Sequence, residues 1–173
     1  MLPMIREQHL RRVVLLCCHF SRNFAYYRAG WDGKTLLKTT EFWKTVNGNC
    51  FDLCVLEWCK LFGENRGEHY WGQVVSDPKT FEAALYPAIG MDAAGFEAYR
   101  VKTRGYRDKF IAHLDADLIA WLPHLGPAWA SVRFYHEYVV KNEAKPEVFR
   151  NLPLDLNAYQ ASKATEAAAS YRS

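Results

Sequence analysis

Residues 92–113 read DAAGFEAYRVKTRGYRDKFIAH, and the spacing within them sets the fold class. Phe96, Tyr99, Tyr106, Phe110 and His113 recur at three- and four-residue intervals, which places them on one stripe of a helix. Arg100, Arg104 and Arg107 follow at i, i+4 and i+7 and form a second, basic stripe. A helix with one aromatic face is a packing element and needs other helices to bury it.

Those partners are legible on both sides. Residues 4–28 carry Leu10, Val13, Val14, Cys17, Phe20 and Phe24 at helical spacing, before Gly30, Asp32 and Gly33 break the pattern. A second helix is expected from Thr40 to Phe62 through Phe42, Trp43, Val46, Cys50, Leu53, Cys54 and Trp58. Gly48 offers a place to kink it, and Gly63 a stop. Residues 63–76 read as a loop with Glu64, Arg66, Glu68 and His69, a charged connector. Asp77-Pro78 opens a short helix to about Ile89, and a further helix covers roughly 127–142. No strand pattern or repeat is visible. The expectation is an all-α, up-and-down bundle of about five helices over residues 1–143. Beyond Ala144, Pro146 and Pro153 interrupt periodicity and residues 158–173 are rich in Ala and Ser. This segment, 144–173, is expected to be a loosely docked or disordered tail, free to lie across a partner subunit.

At 173 residues, half of them hydrophobic and 24% charged, the chain suits one globular domain rather than a disordered one. A net charge of +3 does not by itself mark a nucleic-acid binder, so any basic surface must come from clustering. The 15% aromatic content suits a bundle core or a subunit interface. No apolar run reaches the roughly 20 residues that span a bilayer, and residues 1–7 lack a signal-peptide pattern. Cys17, Cys18, Cys50, Cys54 and Cys59 are odd in number and lie in apolar helical context, which points to reduced core thiols and a cytoplasmic protein. Their spacing fits an apolar face better than a zinc ligand set, so no metal and no cofactor are expected.

The chemistry lies at the end of the quoted stretch, where Arg107, Asp108 and His113 stand together. Arginine offers a fixed charge and a forked donor for phosphate oxygens. Histidine exchanges a proton near neutral pH. An arginine and a histidine at such spacing recur by chance, and Arg12 with His19 is such a pair. The phrase from Tyr106 to Asp115, however, resembles the signature of HEPN domains, the helical nucleases of toxin–antitoxin and phage-defence systems, and most of all their abortive-infection branch. The resemblance covers about ten residues, and the helical character of residues 1–143 agrees with that family's fold.

The resemblance implies a metal-independent RNA endonuclease. His113 would be the general base or acid, Arg107 would stabilise charge on the phosphoryl oxygens, and Asp108 would orient a side chain or a water molecule. Arg100, Arg104 and Lys109 would contact the RNA backbone. Six positions on an ideal helix turn through roughly 600°, leaving His113 about 120° from Arg107. Either the helix distorts before His113 or two chains build one site, and the family pattern implies the second, a homodimer with RNA as substrate and an antitoxin protein as a further partner. Some members carry a tyrosine two residues after the histidine, which the antitoxin modifies. Here that position is Asp115, so the resemblance does not carry this regulation across. The alternative is a non-catalytic helical module of the same fold that binds a protein or nucleotide partner.

Overall fold

A computed structural model describes residues 5–112 and 122–172, and it is all-α. Among the described residues there are seven α-helices: α1 (Arg6–Ala29), α2 (Glu41–Trp58), α3 (Trp71–Val74), α4 (Pro78–Ile89), α5 (Ala93–Tyr106), α6 (Leu125–Asn142) and α7 (Leu156–Arg172). The only extended pairing described is a single bridge between Trp31 and Leu36. None of the described helices is long and apolar enough to cross a membrane.

Helix α1 is the central element and packs against α2, α6 and α7. This explains why its buried face is wider than one stripe: Leu10, Val13, Val14, Cys17 and Phe20 are joined by Cys18, Ser21 and Ala25. Helix α2 is rotated from the expectation. Phe42 and Leu53 are 67% and 41% exposed, while Asn47, Phe51 and Val55 face inward beside Cys50, Cys54 and Trp58. The reason is Asn47. Its Nδ2 donates to the Tyr27 carbonyl (2.9 Å) and its Oδ1 accepts from Trp31 Nε1 (3.0 Å), so a polar residue is buried with its hydrogen bonds made. The helix runs unbroken through Gly48.

At the centre of the core, Trp58 is fully buried and donates from Nε1 to Ser131 Oγ on α6 at 2.9 Å. Its ring meets Phe62, Phe96 and Tyr99 at centroid distances of 5.6, 6.1 and 5.2 Å, tying α2, α5 and α6 together. Local signals set the starts of α4 and α5. Asp77 and Asp92 accept from the backbone N–H groups of Thr80 (3.1 Å) and Gly95 (2.7 Å), satisfying donors that would otherwise lack partners.

The segment beyond Ala144 differs from the expected loose tail. Residues Pro146–Phe149 form a 3₁₀ turn with Phe149 buried. Arg11 on α1 donates to the Val148 and Arg150 carbonyls (2.5 and 3.1 Å), and His136 bonds the Pro153 carbonyl at 2.9 Å. Helix α7 then lies along α1 in the most extensive helix–helix contact of the described chain. Few of its residues are deeply buried, Leu156 and Ala167 being the two. Alanine lets the helix axes approach closely without a bulky interlock, so the composition that reads as a loose tail is also one that permits docking. Among the described residues the bundle therefore has seven helices rather than five, the additions being the one-turn α3 and α7.

Candidate functional site: an arginine stripe clamped by carboxylates

Both helices that build the site change pitch where they meet. Helix α2 continues into a wide i→i+5 turn at Cys59–Gly63, and α5 into another at Arg107–Ala112. Helix α5 packs on the first of these turns. Tyr106 fixes the register by donating from its hydroxyl to Asp52 Oδ1 on α2 at 2.8 Å. Gly63 eases a close approach, because a Cβ there would sit 3.1 Å from Cys59 Cβ and 3.3 Å from Arg104 Cγ and push those neighbours by a few tenths of an ångström. The glycine that stops α2 is thus also the gap through which the Arg104 stem passes.

Arg100, Arg104 and Arg107 do lie on one side of α5, but none points freely into solvent. Arg100 is held bidentately by Glu97, with Nε to Oε2 and Nη2 to Oε1 both at 2.7 Å. Its Nη1 also lies 3.4 Å from the Gly63 carbonyl and 3.4 Å from Asn65 Oδ1. Arg104 places Nε 3.5 Å from Glu64 Oε1, within ion-pair range, yet that buried Nε has no hydrogen-bond partner. Arg107, its side chain only 18% exposed, is gripped from both sides: Nη2 meets Glu64 Oε1 at 2.6 Å, and Nε meets Asp108 Oδ1 at 2.7 Å. Burial works against the Arg107 charge, but the two carboxylates outweigh it and raise its pKa further. Lys109 is exposed on the wide turn.

Beneath this stripe lies Cys59. Burial pushes its thiol up to about 12, with the Arg107 guanidinium pulling the other way. It is a neutral, apolar floor rather than a thiolate nucleophile. The remaining four cysteines are also buried and unbridged. Among the described residues no group of three or more His, Cys, Asp or Glu side chains is placed to hold a metal ion.

Asp108 therefore touches Arg107 directly. The helix also distorts at the position the angular argument singled out. His113 and Asp115 lie outside the described residues. The residue that pattern reading undervalued is Glu64, expected as part of a charged connector and in fact the shared partner of Arg104 and Arg107. A charged residue immediately after a helix-stopping glycine was the available signal. The same loop is anchored at its far end. His9 bonds the Glu68 carbonyl through Nε2, and the His9 and His69 rings meet edge-on at 5.5 Å. Burial, then the neighbouring His9, holds His69 below the usual histidine range.

No protein-family model, curated protein or solved structure matches this chain. The functional reading rests on the residues themselves.

Proposed function

We propose that the chain is a HEPN-like, metal-independent RNA endonuclease of the toxin–antitoxin or phage-defence kind, acting as a homodimer. The observation that carries this reading is Arg107: a largely buried guanidinium at the head of a basic stripe, oriented by Asp108 and Glu64, on the turn that leads to His113. An arginine held in place before substrate arrives is preorganised to meet charge developing on a phosphoryl group. In the reaction, His113 accepts the proton of the RNA 2′-hydroxyl, whose oxygen attacks the adjacent phosphorus. Arg107 neutralises charge on the non-bridging oxygens. The 5′-oxygen leaves with a proton from the partner subunit's matching histidine, and a 2′,3′-cyclic phosphate remains. RNA supplies the nucleophile, and two copies of the short motif supply both acid and base.

The test is cleavage of single-stranded RNA by the full chain in EDTA, with end-group analysis. His113→Ala and Arg107→Ala should each lose about 10²–10⁴-fold in rate while remaining folded. Arg107→Lys should not restore activity, because lysine lacks the fork. Light scattering should give a dimer of the 20.0 kDa chain. A monomer that cuts no RNA, with His113→Ala merely less stable, would replace the nuclease with the non-catalytic partner-binding module. That second reading draws on one observation: both carboxylate partners of Arg107 are already in place, as a structural ion-pair network requires.

A further inference from the structure

At the C-terminal end of α1, two surface cavities of about 290 and 260 Å³ meet at Tyr27 and Arg28, which line both. Phe24, Phe51 and His124 also line the first, and Trp31 the second. Each is smaller than the usual 300–1,000 Å³ of a drug-sized site, which suits one flat ring apiece. The aromatic walls are fixed before any ligand arrives. Buried Asn47 donates from Nδ2 to the Tyr27 carbonyl at 2.9 Å and accepts from Trp31 Nε1 at 3.0 Å, so one side chain holds both residues. Tyr27 also meets Phe51 at a centroid distance of 5.3 Å, and Phe51 meets Tyr106 at 5.6 Å. The wall thus continues across α2 to the residue before Arg107.

A cation suits the negative end of a helix, so Arg28 needs no ligand to be stable there. Its surroundings nevertheless leave it open to one. Among the described residues no carboxylate pairs with Arg28, in contrast to Arg100, Arg104 and Arg107. Asp32, close by in sequence, is engaged by the Lys34 and Thr35 N–H groups and by the Thr35 hydroxyl. On the far wall of the first cavity, His124 Nδ1 accepts from the Gly126 N–H at 3.3 Å. That places the proton of the neutral ring on Nε2, as a donor.

We propose that the two cavities take two successive nucleotides of single-stranded RNA, the bases against the aromatic walls and the phosphate between them on Arg28. This deepens the nuclease reading above, on which the choice of RNA rests. Base–aromatic stacking accepts any sequence, and a cation beside it tracks the backbone. An arginine shared by two aromatic cavities stands where the phosphate linking two such bases falls. The ring contacts through Phe51 to Tyr106 join this subsite to the turn of Arg107, so a strand held here is led toward the arginine stripe.

Fluorescence anisotropy of the full chain tests this with a labelled 2′-O-methyl oligonucleotide, which lacks the nucleophilic hydroxyl and cannot be cut. An abasic strand of the same length is the comparison. The strand with bases should bind at least about 5-fold more tightly, and Trp31→Leu should remove about 5-fold or more. Arg28→Gln should weaken binding about 3-fold at low salt and flatten the logarithmic salt slope by about 0.7. If Trp31→Leu fails to fold, Arg28→Gln and the abasic strand still decide. No binding at about 100 μM, equal binding of the abasic strand, or an equal loss from Arg133→Gln, which removes the same charge from another cavity, overturns the subsite. Cleavage of natural RNA by a chain in which Arg28→Gln and Trp31→Leu bind normally would discard the subsite and keep the nuclease. Binding that needs both residues, in a chain that cuts no RNA, would keep the subsite and discard the nuclease.

Discussion

Glu64→Gln is the perturbation that bears most directly on the arginine stripe. The Glu64 carboxylate occupies the position relative to Arg104 and Arg107 that a phosphate oxygen would take, at 3.5 and 2.6 Å. A hydrogen bond to a charged partner is worth about 1.5–3 kcal/mol, and an exposed ion pair about 0.2–1 kcal/mol. Glu64 is 40% exposed and Arg107 only 18%, so solvent screening places the pair between these limits, near about 1 kcal/mol. Removing the charge while keeping the shape should release the two guanidiniums for an incoming phosphate. Affinity for a single-stranded RNA oligomer, read by fluorescence anisotropy, should rise about 5-fold at low salt. Its salt dependence should steepen by about one released counterion. The melting temperature should fall by only about 2–4 °C. Glu41→Gln is the control for net charge, because Glu41 is 90% exposed and pairs locally with Lys44. Equal gains from both variants, or no gain from Glu64→Gln, would show that Glu64 does not compete with phosphate.

Three further outcomes follow from the packing. Gly30→Ala should cost about 1–3 kcal/mol in urea denaturation, because its Cβ would stand 2.4 Å from Asn47 Nδ2 and 2.7 Å from the Tyr171 hydroxyl; wild-type stability in this variant would mean that α7 is not seated there. His136 is held below its ordinary pKa by burial, opposed in part by the Pro153 carbonyl, so folding favours its neutral form. Its contribution is complete above the unfolded value of about 6.5 and is lost as pH falls from there toward the lower folded value. Melting temperature should therefore drop between about pH 7 and pH 5, and His136→Gln, which can still donate to Pro153, should flatten that drop; an unchanged slope would exclude His136 as its source. The five cysteines, all buried, should react with a thiol reagent only slowly in the folded protein and fully after denaturation. Rapid native labelling of even one would contradict its burial in the core.

The helical class, the helix boundaries near Gly30, Gly63, Asp77 and Asp92, and the core face of α1 were all legible, because apolar periodicity and capping residues act locally. Helix α2 was misphased because Asn47 looks like surface until Tyr27 and Trp31 are known to satisfy it. That is a tertiary fact no window of sequence contains. Helix α7 was misread for a related reason: an alanine-rich segment has little hydrophobic signal of its own, and its docking depends on the shape of α1. At the site, the arginine stripe was visible in the spacing, but the clamp was not. Glu64 lies 43 residues from Arg107, and only the packing of α5 on the turn after Trp58 brings them together.

That packing also bears on where function resides. A wide i→i+5 turn is rare, and such turns collect at functional positions because the regular ladder is more stable elsewhere. This chain has two among its described residues, at Cys59–Gly63 and Arg107–Ala112, and each belongs to one of the two helices that meet at the arginine stripe. Core residues pack from both settings, Trp58, Phe96 and Tyr99 from regular helix and Leu61 and Phe62 from the first wide turn. The two turns have a common consequence. They bring Gly63, the buried Cys59 thiol and Glu64 under and beside Arg107, so that a permanent charge rests on an apolar floor between two carboxylates. A guanidinium in that setting interacts more strongly with any charge that reaches it than one on an open helix face does, since less water screens it. Two departures from regular helix thus meet at one ion-paired arginine, the residue that the proposed nuclease would use.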